Sequence, residues 1–193
     1  SGGMSFHQFL DNQVKNLIIK DIDKPIANFI IGSIDQSGYV RRDIDDLIDD
    51  LAFSQNLIVE KQKIESILKK IQGFDPPGVA ARSLQECLIL QLNRKDKGKE
   101  SVFYASKIIE NEFELFSSKK YKKLIEKLNI SDLQLKEAID EISRLNPKPG
   151  GSISSEILNN TITPDFILTI EDGNLVVEIN KRNAPELKLS NSY

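Results

Sequence analysis

Two proline–glycine segments constrain this chain more than any other feature: Gly73-Phe74-Asp75-Pro76-Pro77-Gly78 and Asn146-Pro147-Lys148-Pro149-Gly150-Gly151. Proline has no backbone N–H and disfavours helical φ/ψ in the residue before it, so neither segment can lie inside a helix. Before and between them the apolar residues recur at helical spacing; beyond Thr161 they alternate. The pattern predicts helical bodies set apart by stiff loops, then strands. With 193 residues, 39% of them hydrophobic, the chain is long enough to bury about 70% of its unfolded surface without staples.

The helical part resolves into successive amphipathic stretches. Phe6, Phe9, Leu10, Val14, Leu17 and Ile18 share one face, and Pro25 opens a second helix carrying Ile26, Phe29, Ile30 and Ile34. Ser37-Gly38 reads as a turn. Ile44, Leu47, Ile48 and Leu51 mark a third helix, and Ile64, Ile67, Leu68 and Ile71 a fourth that stops at Gly73 in the left-handed C′ conformation. Ser83 and Glu86 have capping-box spacing before Leu84, Cys87, Leu88, Ile89, Leu90 and Leu92, which predicts a central core helix, apolar on nearly all sides. The charged stretch from Asn93 to Lys99 reads as an internal boundary. Val102 to Phe116 suits one helix and Tyr121 to Leu128 a shorter one. Ser131 and Gln134 cap a last helix stapled by Ile130 and Leu135.

Phe166, Leu168 and Ile170 then alternate, Asp172-Gly173 signals a type I′ turn, Leu175, Val177 and Ile179 alternate back, and Leu187 to Leu189 suits a short third strand. The expected fold class is mainly α: two helical bundles, residues 4–93 and 100–151, followed by a small antiparallel β-hairpin element at the C-terminus, residues 161–193. Ser1-Gly2-Gly3 before Met4 reads as an expression scar, and the chain as a segment of a longer one.

Composition narrows the chemistry. The chain has one cysteine, Cys87, and one histidine, His7, so no internal disulfide, Cys-based zinc cluster or paired-imidazole site can form. A single cysteine fits a reducing cytoplasm. No apolar run is long enough for a membrane span. Asp43, Asp45, Asp46, Asp49 and Asp50 lack the glycine and terminal glutamate of an EF-hand loop, and Gly150-Gly151 is not followed by the Gly-Lys-Ser/Thr of a phosphate loop. We therefore expect no enzyme, no cofactor and no metal. Net charge is −3, and residues 1–60 hold 5 basic and 10 acidic side chains. Basic runs follow at Arg94, Lys95, Lys97 and Lys99 and at Lys119, Lys120, Lys122 and Lys123, solvated helix faces being the simplest reading.

For nucleic acid, residues 119–145 could form a helix-turn-helix around Asn129-Ile130-Ser131. Its early recognition positions would be Asp132, Gln134, Lys136 and Glu137, two of which repel phosphate, so a plain helical hairpin is the better reading and a free-standing helix-turn-helix DNA-binding module the alternative. The two proline loops, being stiff, either present groups to a partner at little entropic cost or only fix the angle between helices.

The segment Gly73-Phe74-Asp75-Pro76-Pro77-Gly78-Val79-Ala80-Ala81-Arg82-Ser83-Leu84-Gln85-Glu86-Cys87-Leu88-Ile89-Leu90-Gln91-Leu92 resembles the signature of the sigma-54 (sigma-N) class of bacterial RNA polymerase sigma factors. Leu145-Asn146-Pro147-Lys148-Pro149-Gly150 resembles a second landmark of that family, Thr163-Pro164-Asp165 the stretch after it, and Asp35-Gln36-Ser37-Gly38-Tyr39 its early Asp-x-x-Gly-Tyr turn. The resemblance implies the family's central core-binding domain, which binds core RNA polymerase, including its β-flap region, in activator-controlled transcription initiation. It implies that promoter DNA is read, and the AAA+ activator engaged, through family parts missing from this chain. Carried over by position, the core-polymerase-binding or loop-shaping residues are Phe74, Asp75, Pro76, Pro77, Gly78, Val79, Ala80, Arg82, Pro147, Pro149 and Gly150.

Overall fold

In the computed structural model of this chain the described residues are 3–151, 164–171 and 174–181. They form nine α-helices, a 3-10 turn at Asp21–Asp23, a helical stretch at 149–151 and one two-stranded sheet, and fall into two compact units, 3–87 with 148–151, and 88–147 with the two strands.

The first unit is built on α1 (Phe6–Lys15), α2 (Lys24–Gly32), α3 (Ile44–Gln55) and α4 (Lys61–Ile71). A complete capping box starts α1, with the Ser5 hydroxyl accepting from the Gln8 N–H and the Gln8 side chain accepting from the Ser5 N–H. Pro25 sits in the first turn of α2, where its missing N–H costs nothing. Leu10, Ile30, Leu47, Leu51, Ile64 and Ile71 are fully buried in one core that Phe74, Val79 and Ala80 complete. The lone histidine serves packing here: the His7 ring bonds through Nε2 to the Ile34 carbonyl at 2.9 Å, tying α1 to the end of α2.

The second unit holds α6 (Glu100–Asn111), α7 (Phe113–Ser117), α8 (Tyr121–Leu128) and α9 (Asp132–Ser143). Ile108, Ile109, Leu124, Leu135, Ala138, Ile139 and Ile142 form its core, with Leu88 and Leu92 from α5 (Leu84–Leu92). Strands β1 (Pro164–Glu171) and β2 (Asn174–Lys181) pair antiparallel, with Phe166 opposite Ile179, Leu168 opposite Val177 and Ile170 opposite Leu175. The expected Asp172-Gly173 turn and the strand near Leu187 lie outside the described residues.

The expected fold class needs correction in its layout. Two bundles in succession with a separate β element at the end are not what forms: among the described residues, 148–151 belong to the first unit and the two strands to the second. The reason is local, since Gly150 packs onto the turn at Gln36–Gly38 and draws the chain back to the first unit after α9. The boundary likewise falls inside α5, between Cys87 and Leu88, and not at Asn93–Lys99. Nor is α5 apolar and buried all round, because Leu84 is 44% exposed.

Smaller departures have equally local causes. α1 stops at Lys15, leaving Ile18 exposed. The single helix expected from Val102 to Phe116 breaks at Glu112, whose φ of −129° is not helical. Gly73 is not left-handed: the Gly73 and Phe74 amides close tight bonds to the Lys70 and Ile71 carbonyls, and the positive φ passes to Gly78 and Ala80.

Candidate functional site

The turn at Asp35–Tyr39 is organised by one carboxylate. Asp35 Oδ1 accepts from the Ser37 and Tyr39 amides at 2.9 and 3.0 Å, and Oδ2 accepts from Arg41 Nε at 3.2 Å. Partial burial pushes the Asp35 carboxyl up, but bonds from the Tyr39 amide, the Arg41 side chain and the Ser37 amide outweigh it and hold the group below its usual value. Arg41 then stacks over the Tyr39 ring, 4.2 Å from its centroid. Burial pushes the Tyr39 hydroxyl strongly up, aided by a hydrogen bond with the Cys87 thiol. Cys87 is thus a packing residue, fully buried.

Onto this turn docks the segment after α4. The Ala80 amide donates to the Gly38 carbonyl at 2.8 Å and the Val40 amide to the Ala81 carbonyl at 3.0 Å, making a one-rung parallel bridge between residues about forty positions apart. Ala80 adopts φ +65°, a conformation L-residues take at a cost of roughly 1–2 kcal/mol, and is kept there from both sides. Its amide is bound by Gly38 and its carbonyl accepts from Gln72 Nε2 at 3.1 Å. Gln72 also donates to Glu86 Oε1, which in turn accepts from the Arg82 amide at 2.8 Å. At the other end, Gln13 on α1 bonds both backbone groups of Asp75. The Asp75–Pro76 peptide is cis.

Gly150 joins the same junction. Its amide donates to the Ser37 carbonyl at 3.0 Å, and a Cβ added to it would collide with the Gln36 carbonyl and lie 2.7 Å from the Gly38 nitrogen. A Cβ on Gly38, where φ is +99°, would in turn lie 2.8 Å from the Gly150 nitrogen and 2.9 Å from Pro149 Cγ. Two glycines therefore let two backbones touch. The three segments singled out in the sequence for different reasons meet at one point.

The site residues divide by exposure. Phe74, Gly78, Val79, Ala80, Pro149 and Gly150 are buried, Pro76 and Pro147 half-buried, and Asp75, Pro77 and Arg82 exposed. All but Pro147 belong to the first unit. In the second unit, beside Pro147, Gln91 bonds the Asn146 backbone twice at 2.7 Å. Gln13, Gln72 and Gln91 were not singled out in the sequence, since each acts on a distant backbone or side chain and no local pattern marks such a partner; Glu86 was marked by its capping-box spacing with Ser83, but not as the partner of Gln72. Arg82 also edges an open groove of about 620 Å³ lined by Ile44, Leu68, Lys69, Lys70 and Glu86, among others.

The charged runs resolve differently. Asp50 pairs with Arg42 at 2.8 Å and Asp43 with Arg82 at 3.9 Å, and among the described residues no group of His, Cys, Asp or Glu could hold a metal ion. The 93–99 basic run is largely engaged within its unit: Lys95 and Lys99 reach the buried Glu141 at 3.3 and 2.7 Å, and Lys97 reaches Glu110 at 3.9 Å. Burial pushes the Glu141 carboxyl up, but hydrogen bonds from Lys99, Ser101 and Lys95 prevail and hold it at about 2. Among the described residues no helix is long and apolar enough to cross a membrane.

The fold and site thus describe a mainly helical protein whose recognisable segments are spent on one backbone junction with an exposed, proline-stiffened rim. The family model for the sigma-54 factor core binding domain matches residues 1–193, and the chain belongs to that family. The RNA polymerase sigma-54 factor of Bacillus subtilis is 32% identical over 184 residues, 95% of this chain and 40% of the relative. That of Escherichia coli is 30% identical over 189 residues (98% and 39%), and that of Pseudomonas aeruginosa 31% over 193 (100% and 38%). The chain spans about two fifths of the length of these relatives.

Proposed function

We propose that this chain binds core RNA polymerase, including its β-flap region, as part of sigma-54-dependent, activator-controlled transcription initiation in the bacterial cytoplasm, and does so without enzymatic chemistry or a cofactor. The observation that carries the reading is the junction: three of the family's landmark segments, the Asp35–Tyr39 turn, the stretch after Gly73 and Gly150, converge on a rigid rim. In this reading the exposed Asp75, Pro77 and Arg82 touch polymerase. The buried Phe74, Gly78, Val79, Ala80, Pro149 and Gly150 shape the rim, Pro76 stiffens it, and Pro147 sets the exit from α9. Promoter DNA and the AAA+ activator are engaged by other regions of a full-length factor.

Residues 121–143 do not favour the helix-turn-helix alternative. Gln134, the best base-reading candidate near the start of α9, is committed to the capping box with Ser131 and to Glu100 at 2.5 Å, while Leu135, Ala138, Ile139 and Ile142 face the core. Co-elution of the purified chain with bacterial core polymerase tests the proposal. A complex at micromolar concentration is expected, and its absence would overturn the reading.

A further inference from the structure

We infer that Gln13 is a positioning residue for the polymerase-facing rim, an inference that rests on the binding role proposed above. Its side-chain amide satisfies both backbone groups of one distant residue: Nε2 donates to the Asp75 carbonyl and Oε1 accepts from the Asp75 amide, each at 2.8 Å. The amide orientation is unambiguous, because only Nε2 can face a carbonyl and only Oε1 can face an N–H.

The exposed span needs such a clamp. Phe74 anchors one end in the core and Val79, Ala80 and Ala81 the other, all buried. Between them Pro76 and Pro77 have no N–H to donate, so Asp75 is the remaining place before Gly78 where a donated backbone bond can fix the rim. Gln13 supplies it from α1, half-buried and 62 positions away. A loop held in its bound form loses less freedom on association, so releasing the clamp weakens binding more than folding. The bonds themselves are solvent-exposed, and water can replace them at little cost to stability.

Gln13→Met keeps the length and removes both bonds; Gln13→Glu keeps the acceptor but sets a carboxylate against the Asp75 carbonyl. Hydrogen exchange at the Asp75 amide reads the clamp, affinity for core polymerase reads its purpose, and melting temperature reads the fold. For Q13M we expect faster exchange at Asp75, affinity lower by roughly tenfold, and a melting temperature within a few degrees of the parent, with Q13E between the two in exchange and affinity. Parent-like affinity in Q13M, or a loss of affinity matched by a large fall in melting temperature, would overturn the positioning role. If the parent chain does not bind polymerase, the binding role falls and takes the positioning role with it; faster exchange in Q13M would then leave the clamp as a purely structural bond.

Discussion

Gly150 and Glu141 show how much rests on single positions. Gly150→Ala drives a Cβ into the Gln36 carbonyl and the Gly38 backbone, neither of which can move without breaking the Asp35 turn. Overpacking of this kind costs about 1–3 kcal/mol, so the denaturation midpoint of the first unit should fall accordingly. Ala80, already left-handed, should by contrast tolerate Gly. Glu141 carries a pH dependence whose sign follows from its depressed carboxyl. Its folded value of about 2 lies below the ordinary 4.5, so its contribution is complete above about pH 4.5 and is lost as pH falls towards 2. Because Lys99 is 59% exposed, the contribution is on the order of 2–3 kcal/mol and no more. Acid titration followed by amide NMR should show second-unit signals losing stability over that interval in the parent, whereas Glu141→Gln should be less stable at pH 7 and lack the acid-dependent step.

Helix α9 separates local from long-range stabilisation within one element. Its start is encoded by neighbours in sequence: the Ser131 hydroxyl accepts from the Gln134 amide at 3.1 Å and the Gln134 side chain returns a bond to the Ser131 amide. Ser131→Ala should cost about 1 kcal/mol. Leu135, four residues on, is fully buried in the second core. Leu135→Ala should cost about 2–5 kcal/mol, cavity included. Paired urea titrations of the two variants check the ordering; a cap costing more than the core leucine would mean that α9 owes its stability to its own end. Helix α5 gives the complementary lesson. Its apolar residues look like one continuous core surface, yet Leu84 is exposed, Leu88 and Leu92 join the second core, and the unit boundary falls between Cys87 and Leu88, which periodicity cannot reveal.

For the whole molecule, a net charge of −3 and the pairing of Lys95, Lys97 and Lys99 with Glu141 and Glu110 weaken the attraction for a polyanion, leaving the exposed Lys119, Lys120, Lys122 and Lys123 as the place where one would touch. Duplex DNA should therefore not be shifted at physiological ionic strength, and a strongly salt-dependent shift would contradict this. Helix positions, the capping box of α9 and the two breaks at proline were read from residue order, because the forces behind them act over three or four residues. So was the family, since the Phe74–Arg82 and Pro147–Gly150 stretches are distinctive as strings. What residue order could not show is that Gly38, Ala80 and Gly150 touch, that Gln13 holds Asp75, or that the chain returns to its first unit after α9. Those are contacts between backbones tens of residues apart, decided by steric fit and hydrogen-bond satisfaction once the cores have formed, and only the tertiary structure settles which glycine leaves room for which neighbour.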